Sequence, residues 1–149
     1  MPGYGLPRSR KGLLPWEWAE RRLARSHNYW VITVRPDGRP HAMPVWGVWL
    51  DGAFYFSSGR ASRKTRNLAR NRRCIVCSEE ADQAVIVEGR ASEIRSAGPI
   101  ARVAQPYNAK YKPWTLDAER GLIYAVRPRV VLAMYEKGFP NAATRWRFR

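Results

Sequence analysis

Carboxylates are scarce in this sequence. Four Asp and eight Glu face 27 Lys and Arg, for a net charge of +15. The few acids fall mostly at turns or on predicted helix surfaces, so hydrolysis by a carboxylate pair is poorly supported. Histidine is scarcer still. His27 and His41 stand at no metal-ligand spacing, which argues against a histidine-built metal centre. Cysteine is limited to Cys74 and Cys77. A redox or zinc reading of this Cys-x-x-Cys needs a helix start or a tight knuckle around it. Its filling, Ile75-Val76, belongs instead to a strand-like run, where a spacing of three sends the thiols to opposite faces. Both read as structural cysteines. The chain also lacks a Gly-x-Ser-x-Gly elbow, a P-loop and a Gly-x-Gly-x-x-Gly turn. Near the C-terminus the longest uncharged apolar run, Val130 to Tyr135, is far too short to span a bilayer. The opening Met1-Pro2-Gly3-Tyr4-Gly5 lacks the basic-then-apolar layout of a secretion signal. The expectation is a soluble cytoplasmic protein with no membrane partner.

What is present suits one domain. A chain of 149 residues buries about two-thirds of its unfolded surface and needs no disulfide or metal staple. A hydrophobic content of 45% argues against wholesale disorder. Twenty-two of the 27 cations are Arg, whose planar fork grips phosphate and carboxylate. A codon preference for Arg explains many of them equally well, so only local clusters carry an argument. The cations are dispersed, and no helix-turn-helix or aromatic RNA-binding signature is visible. Nucleic acid is therefore not the expected partner, although the closing Thr144 to Arg149 alternates basic and aromatic residues.

Residues 1–14, rich in Gly, Pro and Arg, read as a flexible arm, and 15–149 as a single domain. Trp16 to Ser26 is a short amphipathic helix, opened by Pro15 and the early acid Glu17. Tyr29 to Arg35 is a β-branched and aromatic strand. Pro36-Asp37-Gly38-Arg39 is a turn. His41 to Leu50 is a second strand, Asp51-Gly52 a hairpin turn, and Ala53 to Ser58 a third strand. Gly59 to Asn71 is a loop that becomes a helix, with Ser62 as N-cap. Arg73 to Ser78 and Gln83 to Arg95 are strands four and five. A helix around Ile100 to Ala109 follows, then strands at Leu122 to Arg127 and Val130 to Glu136, separated by Pro128. The class is mainly β: six to seven antiparallel strands with short helices, closing into a small or split β-barrel that leaves few exposed edges.

The chemistry concentrates in Ser57-Ser58-Gly59-Arg60-Ala61-Ser62-Arg63-Lys64-Thr65-Arg66-Asn67. Four cations fall within seven residues at the start of a predicted helix. A helix N-terminus already carries partial positive charge, so cations there are unfavourable unless an anion joins them. A phosphate met by free N–H groups, Ser hydroxyls and Arg/Lys side chains would gain roughly 1.5–3 kcal/mol per charge-assisted hydrogen bond. A solvated basic helix face is the competing reading. The preceding run, Met43 to Trp49, is flat and apolar. Pro44 withholds an N–H, so this strand is not a fully paired central one. Gly47 admits close approach of a ligand or another backbone. Trp46 and Trp49, at odd spacing, point to opposite faces.

Taken in order, Trp30 to His41, Pro44 to Trp49, Tyr55 to Ser58, Ser62 to Leu68 and Thr144 to Phe148 resemble the pyridoxamine 5′-phosphate oxidase-like split-barrel family. The similarity is greatest to its flavin/deazaflavin oxidoreductase branch. The resemblance implies an FMN-binding-like split barrel, a homodimer with cofactor at the subunit interface, and FMN or the deazaflavin coenzyme F420 as ligand. It implies that Pro44, Val45 and Trp46 line the ring system, and that Ser57 and Ser58 contact the ribityl chain or phosphate. Arg63 and Lys64 would bind phosphate beside Ser62, Asn67 would fix the loop, and Trp146 and Arg147 would close the site from the other subunit. The family's pyridoxal-phosphate-specific residues have no match, so vitamin B6 oxidation is not expected. F420 carries a phosphodiester and glutamate carboxylates, which suit a basic protein, so F420-dependent reduction of an unsaturated small molecule is the leading expectation. An FMN oxidoreductase and a non-catalytic cofactor- or tetrapyrrole-binding module are the alternatives. No catalytic side chain and no metal are expected.

Overall fold

The computed structural model describes residues 11–149. Most of the expected arm therefore lies outside the described residues. Its last residues are tied down rather than loose: the Leu14 N–H donates to Thr144 Oγ1 at 2.8 Å, and the Leu14 side chain packs against the core.

The elements run α1 (Trp16–Arg25), β1 (Tyr29–Val34), β2 (Pro40–Val45), β3 (Gly47–Leu50), β4 (Ala53–Gly59), α2 (Arg63–Arg70), β5 (Arg73–Ser78), β6 (Gln83–Ile94), α3 (Ala97–Lys110), β7 (Gly121–Tyr135), a short 3-10 turn and β8 (Thr144–Arg147). All strand pairs are antiparallel. The sheet path is β2-β1-β5-β6-β7-β4-β3, with β8 added to β7. Its two ends, β2 and β3, are joined in the chain by Trp46 alone, so the sheet curls back towards itself as a split barrel.

Turn chemistry drives the hairpins as expected. Asp51 and Gly52 take positive φ of 49° and 71°, the pair that a tight hairpin needs. Strands alternate. On β1 Tyr29, Val31 and Thr33 are buried and Trp30 is exposed; on β5 Cys74 and Val76 are buried between more open neighbours. The two thiols are free and face opposite sides. Burial pushes Cys74 up to about 12 and also raises Cys77, so neither is a ready thiolate. The core is built from Tyr29, Val31, Phe54, Phe56, Val76, Val85, Val87 and Val126, and α1 buries Trp18, Ala19 and Leu23 in it. Each such large side chain contributes about 1.5–3 kcal/mol.

Three strand expectations are corrected. The run 41–50 is two strands, because Trp46 turns the chain from one end of the sheet to the other. The two strands around Pro128 are one, β7. Pro128 faces Gly89, where the register shifts, so its missing N–H leaves no gap in the ladder. Gly89 is required there: a Cβ would lie 2.5 Å from the Arg127 carbonyl oxygen. The basic-aromatic tail forms β8. The total is eight strands rather than six or seven. Among the described residues, no helix is long and apolar enough to cross a membrane.

Candidate functional site

The end of β4 and the start of α2 form a compact corner. Ser62 caps α2, its Oγ accepting from the Thr65 N–H at 3.2 Å. The Ser58 and Ser62 hydroxyls are 2.7 Å apart, and Thr65 Oγ1, which donates to the Gly59 carbonyl at 2.9 Å, lies 3.2 Å from both. These hydroxyls thus build the turn. Asn67 is fully buried and donates from Nδ2 to Thr33 Oγ1 at 2.9 Å, pinning α2 to β1. Ser57 is half-buried and, with Ser58 and Gly59, lines a cavity of about 230 Å³ whose other walls include Tyr107, Leu116, Asp117 and Arg120.

Cations converge on this corner without carboxylates. The His41 imidazole is held below its ordinary range by burial and then by the charges of Arg35, Lys64 and Arg63. Lys64 is half-buried, and burial lowers its ammonium as well. Among the described residues, none of Arg35, Arg63 and Lys64 has an ion-pair partner. Arg35 Nε and His41 Nδ1 are buried with no hydrogen-bond partner. An unsatisfied buried polar group costs about 1–3 kcal/mol. The donors on Arg35 and His41 fit a phosphate, while the third unpartnered buried atom, Asn67 Oδ1, is an acceptor that a phosphate does not serve. Arg35 and His41 were not among the sequence candidates. The signal available for them was the short turn that sets His41 opposite Thr33, the residue Asn67 grips.

The proposed ring strand borders an open edge. β2 pairs only with β1, as the N–H-lacking Pro44 predicts. Along it Pro44 is exposed, Val45 packs on the core and Trp46 is 36% exposed. Gly47 admits no ligand: an added Cβ would meet Phe54 Cζ at 2.3 Å and the Tyr55 carbonyl at 2.5 Å, so the close approach is to the neighbouring strand. Trp49 packs on Trp16 in the interior.

A second corner, unseen in the sequence, locks this bend. Tyr111 at the end of α3 stacks on Trp46, with centroids 4.8 Å apart and planes 10° apart. Its hydroxyl accepts from the Gly47 N–H at 2.9 Å and lies 2.7 Å and 2.8 Å from the His27 and Gly47 carbonyls. Lys110 donates to the Gly47 carbonyl at 3.0 Å and to Tyr29 Oη at 2.9 Å. Burial brings Lys110 down to about 8 and Tyr111 up to about 12. Trp114, 64% exposed, lies beside Trp46 with centroids 6.5 Å apart. Trp146 packs edge-on against Trp16 in its own chain, and Arg147 is exposed on β8. Among the described residues no cluster of His, Cys, Asp and Glu could hold a metal.

Comparison with known proteins agrees with this architecture. The family model for pyridoxamine 5′-phosphate oxidase matches residues 16–139. No curated protein sequence matches the chain. A solved structure named F420 Reductase is 25% identical, covers 75% of this chain and 94% of its own, and superposes with a TM-score of 0.63. General Stress Protein 26 from Bacillus anthracis is 19% identical over 89% of this chain and 97% of its own, with a TM-score of 0.70. A heme binding protein from Mycobacterium smegmatis is 19% identical over 90% of this chain and 59% of its own, with a TM-score of 0.72. The latter two likenesses speak to the fold. The family includes oxidoreductases. With a family match over most of its length and a split barrel shared with these structures, the chain belongs to the pyridoxamine 5′-phosphate oxidase family.

Proposed function

We propose that this chain is a deazaflavin-dependent reductase that holds coenzyme F420 by its phosphodiester at the Arg35–His41–Arg63–Lys64 corner and reduces an unsaturated small molecule. One observation carries the reading: buried nitrogens on Arg35 and His41 lack partners beside a half-buried Lys64 with no carboxylate. Lys64 stands in the first turn of α2, which carries no acid. An anion bound at this corner would offer acceptors to these donors. Charge favours F420 over FMN, since its glutamate tail adds negative groups and the chain carries +15. The likeness to the structure named F420 Reductase supports the same choice.

When bound, the deazaflavin supplies hydride chemistry. The chain's own residues bind and orient. Arg63 and Lys64 hold the phosphate with Arg35 and His41 behind them. Ser58 and Ser62 shape the turn, Ser57 meets the ribityl chain, and Asn67 keeps α2 in place. Pro44, Val45 and Trp46 flank the ring and exclude water. No side chain is needed as acid or base. A second subunit completes the site: the open β2 edge presents Met43, 43% exposed, to another copy, whose exposed Arg147 closes the cleft.

Fluorescence titration with F420 and FMN separately, on wild type, Lys64→Ala and Arg63→Ala, tests this. The expected result is micromolar or tighter F420 binding, weakened about 10- to 100-fold by either substitution. Tight binding of FMN alone moves the protein to the flavin branch with the same phosphate corner. Binding of neither overturns the cofactor reading.

A further inference from the structure

Three arginines stand side by side across the outer face of the barrel. Arg73 on β5 is the cross-strand partner of Arg90 on β6, and Arg90 is the partner of Arg127 on β7. Directly opposite residues share a face, with Cβ atoms about 4.5–5.5 Å apart, and like charges so placed destabilise a sheet. All three side chains are exposed. Arg129, next to the bulge, adds a fourth cation. Among the described residues, the ion pairs engage Glu80, Asp37, Glu93, Asp51 and Asp117 elsewhere, and none reaches these four arginines.

Beside the row runs a groove of about 520 Å³. Ile32, Val34 and Ile75 give it an apolar floor, Arg73, Arg90 and Arg129 a cationic rim, and Glu88 its one carboxylate. None of these side chains belongs to the corner assigned to the cofactor. The charge asks for an anion, and the floor asks for apolar surface. A free inorganic anion would leave the floor in water. A polyanion lying along the groove would meet Glu88.

We propose that this groove binds an amphipathic organic anion, its hydrocarbon or planar body on Ile32, Val34 and Ile75 and its carboxylate, sulfonate or phosphate in the arginine row. The probe is 8-anilinonaphthalene-1-sulfonate, titrated by fluorescence into the full chain. Variants are Arg73→Gln with Arg90→Gln, Ile75→Gln, and Lys64→Ala, each checked for folding by circular dichroism. The expected result is saturable binding of one probe per chain. The double arginine variant and Ile75→Gln each weaken it about tenfold or more. Lys64→Ala leaves it unchanged, and inorganic sulfate at equal concentration does not displace it. The proposal is overturned if the groove variants bind as wild type does, if Lys64→Ala abolishes binding, or if sulfate displaces the probe. Absence of binding, as when a second copy covers this face, overturns it too. Its failure leaves the cofactor reading untouched, because that reading is tested at Arg63 and Lys64.

Discussion

Lys64 and Lys110 are both half-buried lysines, and burial pulls both ammonium groups below the ordinary range. Their surroundings differ. Lys110 donates to Tyr29 and Gly47 and lies over two aromatic rings. Its corner satisfies itself: Tyr111 meets the amide and carbonyl of Gly47, so the bend between β2 and β3 closes on the chain's own groups. Lys64 has no carboxylate, and its neighbours Arg35 and His41 keep buried nitrogens unpartnered. Burial of a charge by itself therefore does not mark a ligand site. What separates the two is whether the fold supplies the partner.

Gly47 is the position at which a substitution disrupts the Lys110 corner most severely. Its added Cβ would overlap Phe54, which is fully buried, and a backbone oxygen of β4. Gly47→Ala is expected to cost more than about 3 kcal/mol or to prevent folding. Urea unfolding and soluble yield measure it. A variant as stable as wild type shows that the bend yields, and the self-satisfied corner is then not a lock.

The second largest effect belongs to Lys64. Without cofactor, Lys64→Ala is expected to change stability by no more than about 0.5 kcal/mol, since it removes a cation from a like-charged cluster. With F420 at about 100 times its Kd, wild type should gain about 2.7 kcal/mol in the same unfolding experiment, and the variant little. A large loss in the absence of cofactor makes Lys64 architectural like Lys110, and the contrast collapses.

Much of this contrast was hidden in the sequence for a physical reason. The α2 corner is local: Ser58, Ser62, Lys64 and Asn67 lie within ten residues, and the cap at Ser62 follows from helix-end chemistry. The hairpin at Asp51-Gly52 and the alternation of β1 and β5 were legible in the same way. The α3 corner is assembled across long separations, joining Gly47 to Tyr111 and Tyr29 to Lys110. No spacing rule connects such residues, and a Tyr-Lys pair at a helix end has no local signature. Arg35 and His41 escaped for a related reason, since only the β1–β2 register and the fold of α2 bring them to Lys64. Pro128 misled because a proline reads as a strand break unless its partner, here Gly89 at a bulge, is known.

Tyr111→Phe comes next in size. It keeps the stack on Trp46 but removes the hydroxyl that serves Gly47 and His27. Leaving the Gly47 N–H unsatisfied should cost about 2 kcal/mol. Urea unfolding measures the cost, and a neutral result means that water replaces the hydroxyl and the corner is not sealed.

The smallest effect is a pH dependence that isolates Lys110. In the fold its amine titrates at about 8, below the ordinary lysine value of 10.5. At pH below 8 both folded and unfolded chains hold this proton, and the burial penalty on the charged form is fully present. Between 8 and 10.5 the unfolded chain binds more protons at this site than the folded one, so stability rises with pH. Tyr29 and Tyr111 act oppositely at higher pH. Burial raises both, so unfolded tyrosines ionise first near 10 and stability falls there. The informative window is therefore pH 8 to 10. Wild type should gain stability across it relative to Lys110→Met, which fills similar volume without a titrating group. Parallel curves for the two proteins would mean that Lys110 stays charged in the fold, well served by Tyr29 and Gly47. Its corner would then differ from that of Lys64 more sharply than burial suggests.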